Sequence, residues 1–234
     1  LRSREEFIDL VFEKYPSIEN RIETHKIFTI DSETTQDFDD AIGIKIIDDN
    51  YTILSIYISN VIIWMELLDL WESFSERIST IYLPDRKRPM IPTVLSECLC
   101  SLQENQTRFA FTMDIHVKNQ NIENITYCNS AISIYKNFVY DTEELLEDDE
   151  YKKIFTTLKG LSKKKKFVPY IKQSGDVITY LMIMMNHITG MELLKINKGI
   201  FRSAVFAPKV KIPDHLPETV YKFLHNWSNF TGQY

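Results

Sequence analysis

Apolar residues recur at helical spacing near the start of the chain. Phe7, Ile8, Val11 and Phe12 share one face, which predicts a helix over residues 4–14 that Pro16 ends. The period then shortens. Residues 26–30, 41–47 and 51–59 are rich in Ile, Tyr and Thr and read as three strands, the last two joined by a turn at Asp48-Asp49-Asn50. Trp64, Leu67, Leu68, Trp71 and Phe74 return to three- and four-residue steps, predicting a helix over 64–79. The prolines at 84, 89 and 92 exclude regular helix there, since each removes a donor and fixes φ. Alternation through Phe109, Phe111, Met113 and Ile115 predicts a half-buried strand over 108–117, turning at 118–121 into a second strand over 122–135. Helices are expected at 141–160, 174–196 and 217–226. Strands followed by helices, with no internal repeat or low-complexity linker, give an α+β fold.

Composition narrows the classes. The 234 residues are 44% hydrophobic and 26% charged, with 6 Gly and 8 Pro, so collagen-like and wholly disordered chains are excluded. The length suits one domain or two small ones. A net charge of −6 excludes a general basic coat for nucleic acid but leaves room for a local basic groove. Cys98, Cys100 and Cys128 form neither a disulfide framework nor a C-x-x-C signature, so a reducing, intracellular and cytoplasmic setting is expected. The apolar stretches 53–68 and 177–194 are interrupted by polar residues and short for a span of about 20 residues, so no membrane association is expected. No basic-then-apolar leader opens the sequence, and a first residue of Leu rather than Met sets the expectation that further sequence flanks it.

The sharpest chemical feature lies between the first two strands. Asp31, Asp37, Asp39 and Asp40 fall within ten residues of one another in Thr29-Ile30-Asp31-Ser32-Glu33-Thr34-Thr35-Gln36-Asp37-Phe38-Asp39-Asp40-Ala41. Packed together, four carboxylates repel unless they take up protons or a cation. Oxygen ligands of this kind suit Mg²⁺ or Mn²⁺, the usual apparatus for phosphodiester cleavage. An EF-hand is excluded, because its sixth and twelfth positions from Asp31 are Gln36 and Ile42 rather than Gly and Glu. A solvated acidic turn competes with the metal site, and the residues alone leave both open.

That segment resembles the opening motif of the ribonuclease II catalytic domain, the RNB domain, in which a Thr-Ile-Asp strand leads into D-x-D-D-A. A second block, Ser79-Thr80-Ile81-Tyr82-Leu83-Pro84-Asp85, then Pro89-Met90-Ile91-Pro92, Leu95-Ser96 and Leu99-Cys100-Ser101-Leu102, is similar to the family's next conserved run. Val139-Tyr140-Asp141, and Leu181-Met182-Ile183 through Asn186 with Phe201-Arg202 beyond, match in the same order. The matches are collinear from about residue 26 to about 208, which implies a helical lead-in over 1–25 and a partial RNB-like catalytic domain over 26–234. The implied core is a mixed or antiparallel sheet flanked by helices. The implied activity is metal-dependent 3′→5′ hydrolysis of single-stranded RNA to nucleoside 5′-monophosphates. By position, Asp31, Asp37, Asp39 and Asp40 would hold Mg²⁺ (or Mn²⁺) and the catalytic water, while Tyr82 and Tyr140 would contact RNA. Stacking on tyrosine suits a sequence-tolerant enzyme, because every base has a π face.

Other features stay open. Lys163–Lys166 could touch phosphates or form a solvated loop. His187, on an apolar helix, is expected in the core, and Cys98 and Cys100 are expected to be buried. Arg77 and Arg108 sit beside motif blocks and could order the site or meet phosphate. Thr179 and Tyr180 stand where the family places glutamates, one of which contacts the RNA sugar, so a weaker preference for RNA over DNA is expected. The family's later S-P-I-R-R motif has no counterpart in the 234 residues. The alternative to an exoribonuclease is therefore an inactive RNB-derived protein that binds RNA or serves assembly, with protein partners unknown.

Overall fold

A computed structural model describes residues 4–74, 76, 80–83, 86–201, 203–205, 212–213, 215–227 and 231–233. Helix α1 (Arg4–Lys14) leads into the short strand β1 (Glu19–Asn20), then β2 (Ile27–Asp31), β3 (Asp40–Asp48) and β4 (Tyr51–Ser59). The helix expected over 64–79 is split into α2 (Val61–Leu67) and α3 (Trp71–Phe74), because Asp69 adopts a left-handed φ of 51°. The proline-containing segment holds a small hairpin, β5 (Ile81–Tyr82) with β6 (Lys87–Arg88), and leads into a π-helical turn, Val94–Leu99, that no periodicity announces. Strands β7 (Thr107–Lys118) and β8 (Asn121–Val139) form the expected hairpin.

Strand β8 closes the sheet on itself. Its first two-thirds pairs antiparallel with β7, from Asn121 to Ser133, and its last third pairs parallel with β2, from Ile134 to Val139. Since β2 pairs with β3, β3 with β4 and β4 with β7, five strands form a closed circuit, with β1 added along β8 at Ser130 and Ala131. Closure removes the open edges that would otherwise invite pairing with another chain. The sheet is thus mixed, as the α+β reading required. Ile27, Phe28, Thr29 and Ile30 are all buried, so β2 reads as a continuous apolar run rather than an alternating one.

A buried ion pair ties these strands to the N-terminal segment. Arg21 reaches Asp114 through two bonds, Nη1 to Oδ1 at 2.9 Å and Nη2 to Oδ2 at 2.6 Å, and Ser55 Oγ donates to the same carboxylate at 2.6 Å. Burial alone would raise the Asp114 carboxyl. The Arg21 guanidinium and the Ser55 hydroxyl overcome that and hold it below the ordinary carboxylate range.

Helix α4 (Glu143–Glu147) and helix α5 (Asp149–Ser162) replace the single helix expected over 141–160. Asp148 divides them, because its carboxylate caps α5 by accepting from Glu150 and Tyr151 backbone N–H groups at 2.9 and 3.0 Å. Tyr151, Ile154, Leu158 and Leu161 form the buried stripe of α5. Helix α6 (Ser174–Lys195) is 22 residues long, with a mean hydropathy of 1.3 over its most apolar window. By length and composition it could cross a membrane, so the expectation that this stretch is too short fails on length. Its first half nevertheless buries Val177, Ile178, Tyr180, Leu181, Met184 and Met185, as a core helix does.

The chain divides into two compact units, Leu1–Met185 and Asn186–Tyr234. Val11 of α1 is fully buried in a cluster with Ile63, Trp64, Leu95, Phe109 and Ala131, so the lead-in helix shares a core with α2 and the β7–β8 hairpin. In the second unit, β9 (Ser203–Val205) pairs antiparallel with β10 (Thr231–Gln233), and α7 (Glu218–Trp227) lies between them in sequence.

Candidate active site

The aspartate segment connects two neighbouring antiparallel strands. Asp31 ends β2 opposite Val139 of β8, and Asp40 begins β3 opposite Ile58 of β4. Between them Phe38 packs against the cluster of Ile27, Tyr57, Leu102 and Ile132. The aspartates flanking that anchor stay nearer the surface: Asp37 is half-buried and Asp39 exposed, while Asp31 and Asp40 are half-buried.

A set of hydrogen bonds fixes the backbone of this loop. Ser101 Oγ accepts from Phe38 N–H at 3.0 Å and donates to Gln36 O at 3.2 Å. Leu102 N–H donates to Phe38 O at 2.9 Å, and Ser59 N–H to Asp39 O at 2.8 Å. Ser59 Oγ completes the bracket by donating to Cys100 O at 2.6 Å. Arg108, buried at 2% exposure, donates through Nε to Ser101 O and through Nη2 to Cys98 O at 2.8 Å and Gln103 Oε1 at 3.1 Å, while Nη1 reaches Thr107 O at 3.0 Å. All of its nitrogens are engaged within the protein. Of the two roles open to Arg108, ordering the segment is the one its geometry supports, and phosphate contact is not. The Leu99–Leu102 block therefore acts as a clamp on the aspartates, a role that motif position alone gave no reason to assign to Ser101 or Ser59.

Electrostatics brings the four aspartates into one neighbourhood. Burial raises Asp31 to about 6, with a hydrogen bond from Thr29 opposing and the charges of Asp39 and Asp37 adding to the rise. Burial likewise raises Asp40 to about 7, with Asp31 and Asp39 adding to it. Tyr140 is half-buried, and its phenol is pushed up by burial and then by the charges of Asp31 and Asp40. Its N–H donates to Asp31 O at 3.0 Å. Asp141, next in sequence, accepts through Oδ1 from Ser174 N–H and Oγ–H at 2.9 and 2.8 Å, which ties the start of α6 to this end of the barrel.

Carboxylate oxygens are the donor type that a hard divalent cation takes. Among the described residues no basic side chain pairs with Asp31 or Asp40, and both carboxyls sit well above their ordinary range, chiefly because they are buried and then because neighbouring aspartates repel them. Among the described residues, no group of three or more His, Cys, Asp or Glu side chains is arranged so that it could hold a metal ion.

The remaining candidates divide. Tyr82 lies in β5, but its side chain is outside the described residues, as are Arg77 and Arg202. Tyr180 is fully buried and donates from its hydroxyl to Lys165 O at 2.8 Å, so of the Thr179–Tyr180 pair only Thr179 is exposed. Two expectations are corrected. His187 is exposed, because it falls on the solvent side of α6, and Cys98 is exposed while Cys100 is buried, because the π-helical turn rotates them apart.

The RNB domain pattern matches residues 20–167, and the chain belongs to the RNB domain family. It is 34% identical over 116 residues to Exoribonuclease 2 of Vibrio cholerae, covering 48% of this chain and 17% of that protein. Ribonuclease R of Chlamydia pneumoniae is 31% identical over 143 residues, covering 58% of this chain and 21% of that one. The chain thus spans about a fifth of the length of these relatives. The fold is similar to that of Mycoplasma genitalium RNase R in complex with double-stranded RNA, with a TM-score of 0.68 and 21% identity over 88% of this chain and 42% of that one. It is also similar to yeast Ssd1, a pseudonuclease, with a TM-score of 0.64 and 12% identity over 83% of this chain and 28% of that one.

Proposed function

We propose that this chain carries the metal-holding carboxylates of a 3′→5′ exoribonuclease that hydrolyses single-stranded RNA to nucleoside 5′-monophosphates. One observation carries the reading: Asp31 ends β2 and Asp40 begins β3, half-buried, without a basic partner among the described residues and within reach of the charges of Asp37 and Asp39. Mg²⁺ or Mn²⁺ would be held by Asp31, Asp37, Asp39 and Asp40. When bound, it supplies an acidified water and charge neutralisation at the scissile phosphate. The chain's own residues do the positioning. Ser101 and Ser59 hold the loop backbone, and Phe38 anchors it, so only the aspartate side chains would have to turn to gather around a cation. Tyr140, close enough to Asp31 to feel its charge, would offer an aromatic face to a base near the reacting end, and the resemblance assigns Tyr82 a second such contact.

A second reading is a non-catalytic RNA-binding relative. The similarity in fold to a pseudonuclease favours it, as does the lack, among the described residues, of any group of three or more carboxylates arranged so that it could hold a metal ion. Degradation of 5′-labelled single-stranded RNA separates the two. With Mg²⁺ or Mn²⁺ the labelled RNA is expected to shorten stepwise from the 3′ end, and Asp39→Asn is expected to abolish this while leaving the circular dichroism spectrum unchanged. RNA left intact with either metal, yet retained by the protein in a gel-shift, would favour the second reading.

A further inference from the structure

Between Tyr151 and Gly175 the chain carries eight lysines and no acidic residue, although the protein as a whole is net −6. Lys152 and Lys153 are neutralised by Glu147 and Glu150 at 2.8 and 2.7 Å. Among the described residues the other six, Lys159, Lys163, Lys164, Lys165, Lys166 and Lys172, form no ion pair. Three of them lie over aromatic rings instead: Lys159 over Phe155 at 4.3 Å, Lys165 over Phe167 at 5.8 Å and Lys172 over Tyr170 at 5.2 Å. Tyr170 is itself 72% exposed, so its ring is open to solvent beside the lysines.

The backbone of this segment is held, unlike that of a solvated charge run. Tyr180 donates to Lys165 O at 2.8 Å, and Phe167 meets the Tyr180 ring edge-on at 5.3 Å. Ile171 is buried, and Lys172 and Gln173 N–H groups both donate to Asp176 Oδ2. The course of the segment is also directed. Lys164 Nζ donates to Asn121 Oδ1 at 2.6 Å, beside the β7–β8 turn, and that turn bonds to the β3–β4 turn through Asn119 N–H and Asn50 O. Those turns lie at the opposite end of β3 from Asp40, about 26 Å away at ~3.3 Å per residue. Ten residues later Ser174 is bonded to Asp141, next to Tyr140 and the carboxylates.

We propose that residues 159–172 form a track for single-stranded RNA, along which the unpaired lysines follow the phosphates and Tyr170 stacks a base, leading the strand toward the carboxylate end of the barrel. The proposal rests on the RNA-directed reading above and adds a second, distant contact surface to it. A lysine row with an interleaved exposed aromatic is the pairing that sequence-tolerant single-strand binding uses.

The test is binding without metal, read by fluorescence anisotropy with 5-nucleotide and 20-nucleotide oligouridylate RNA. Replacing Lys163, Lys164, Lys165 and Lys166 together by Gln is expected to weaken the 20-mer at least tenfold. It should also flatten the slope of log affinity against log salt by about 3, at roughly 0.7 per lysine. The 5-mer, too short to follow the track, should lose far less affinity than the 20-mer. Tyr170→Ala is expected to weaken the 20-mer about tenfold with the salt slope unchanged. All five side chains are solvent-facing, so a wild-type circular dichroism spectrum accompanies the expected result. A 20-mer affinity and salt slope equal to wild type would overturn the track. Displacement of the 20-mer by polyglutamate as readily as by unlabelled RNA would overturn its assignment to RNA. Because no metal is present, a failure to cleave in the separate Mg²⁺ assay would remove the hydrolytic reading and leave this result standing.

Discussion

Ser101 is the residue on which the aspartate loop turns. Its hydroxyl satisfies one donor and one acceptor of the loop, at Phe38 and Gln36, and a hydrogen bond of this kind is worth on the order of 1 kcal/mol. Ser101→Ala is expected to loosen the loop without unfolding the protein, lowering Mn²⁺ affinity about tenfold in isothermal titration. An unchanged affinity would show that Leu102 and Ser59 suffice. Asp31 and Asp40 make a second expectation, of opposite sign to the usual carboxylate. Their folded values of about 6 and about 7 lie above the ordinary 3.8, so on acidification the folded state takes up protons before the unfolded chain does. Metal-free protein should therefore gain stability as pH falls through 7 and 6 toward 4, and lose it as pH rises. Thermal midpoints in EDTA across that range measure the slope, and saturating Mg²⁺ should remove it, since the cation takes the place of the proton. Midpoints that stay flat in EDTA would contradict the raised values. The four aspartates were legible because carboxylates so close in sequence need compensation. Ser101 was not, because a serine in a loop carries no pattern that says which backbone it will bind.

At the scale of elements, strands announced by β-branched runs fell where they were expected. The closed circuit did not announce itself, because alternation along β8 says which face is buried but not that its last six residues will turn to β2 as a parallel neighbour. The helix breaks at Asp69 and Asp148 were hidden for a related reason: local hydrogen bonding and a positive φ override apolar periodicity that runs straight through them. The Arg21–Asp114 pair, which joins segments far apart in sequence, was equally invisible. Its side chains are 5% and 12% exposed, so Asp114→Ala leaves a buried guanidinium uncompensated and is expected to cost about 3–5 kcal/mol. Urea unfolding of the variant measures it. The pair also sets an acid limit: since Asp114 is held below its ordinary range, its contribution is intact above about pH 4 and is lost as pH falls through the lower folded value. A loss under 1 kcal/mol would place the pair among those that merely offset their own desolvation.

Across the whole molecule, net charge hides local charge. A chain of net −6 keeps four aspartates in the β2–β3 segment and, among the described residues, six lysines without an ion pair between Lys159 and Lys172, so the summed charge conceals two segments of opposite sign. That arrangement suits a protein that attracts a polyanion along one surface and a cation at another. The proposed chemistry stands or falls on the cation. Titrating Mn²⁺ into metal-free protein, with binding read by electron paramagnetic resonance, tests it most directly. Saturable binding to the wild type and its loss in Asp40→Asn are expected. Equal binding to both proteins, or none to either, would contradict a metal site built from these carboxylates.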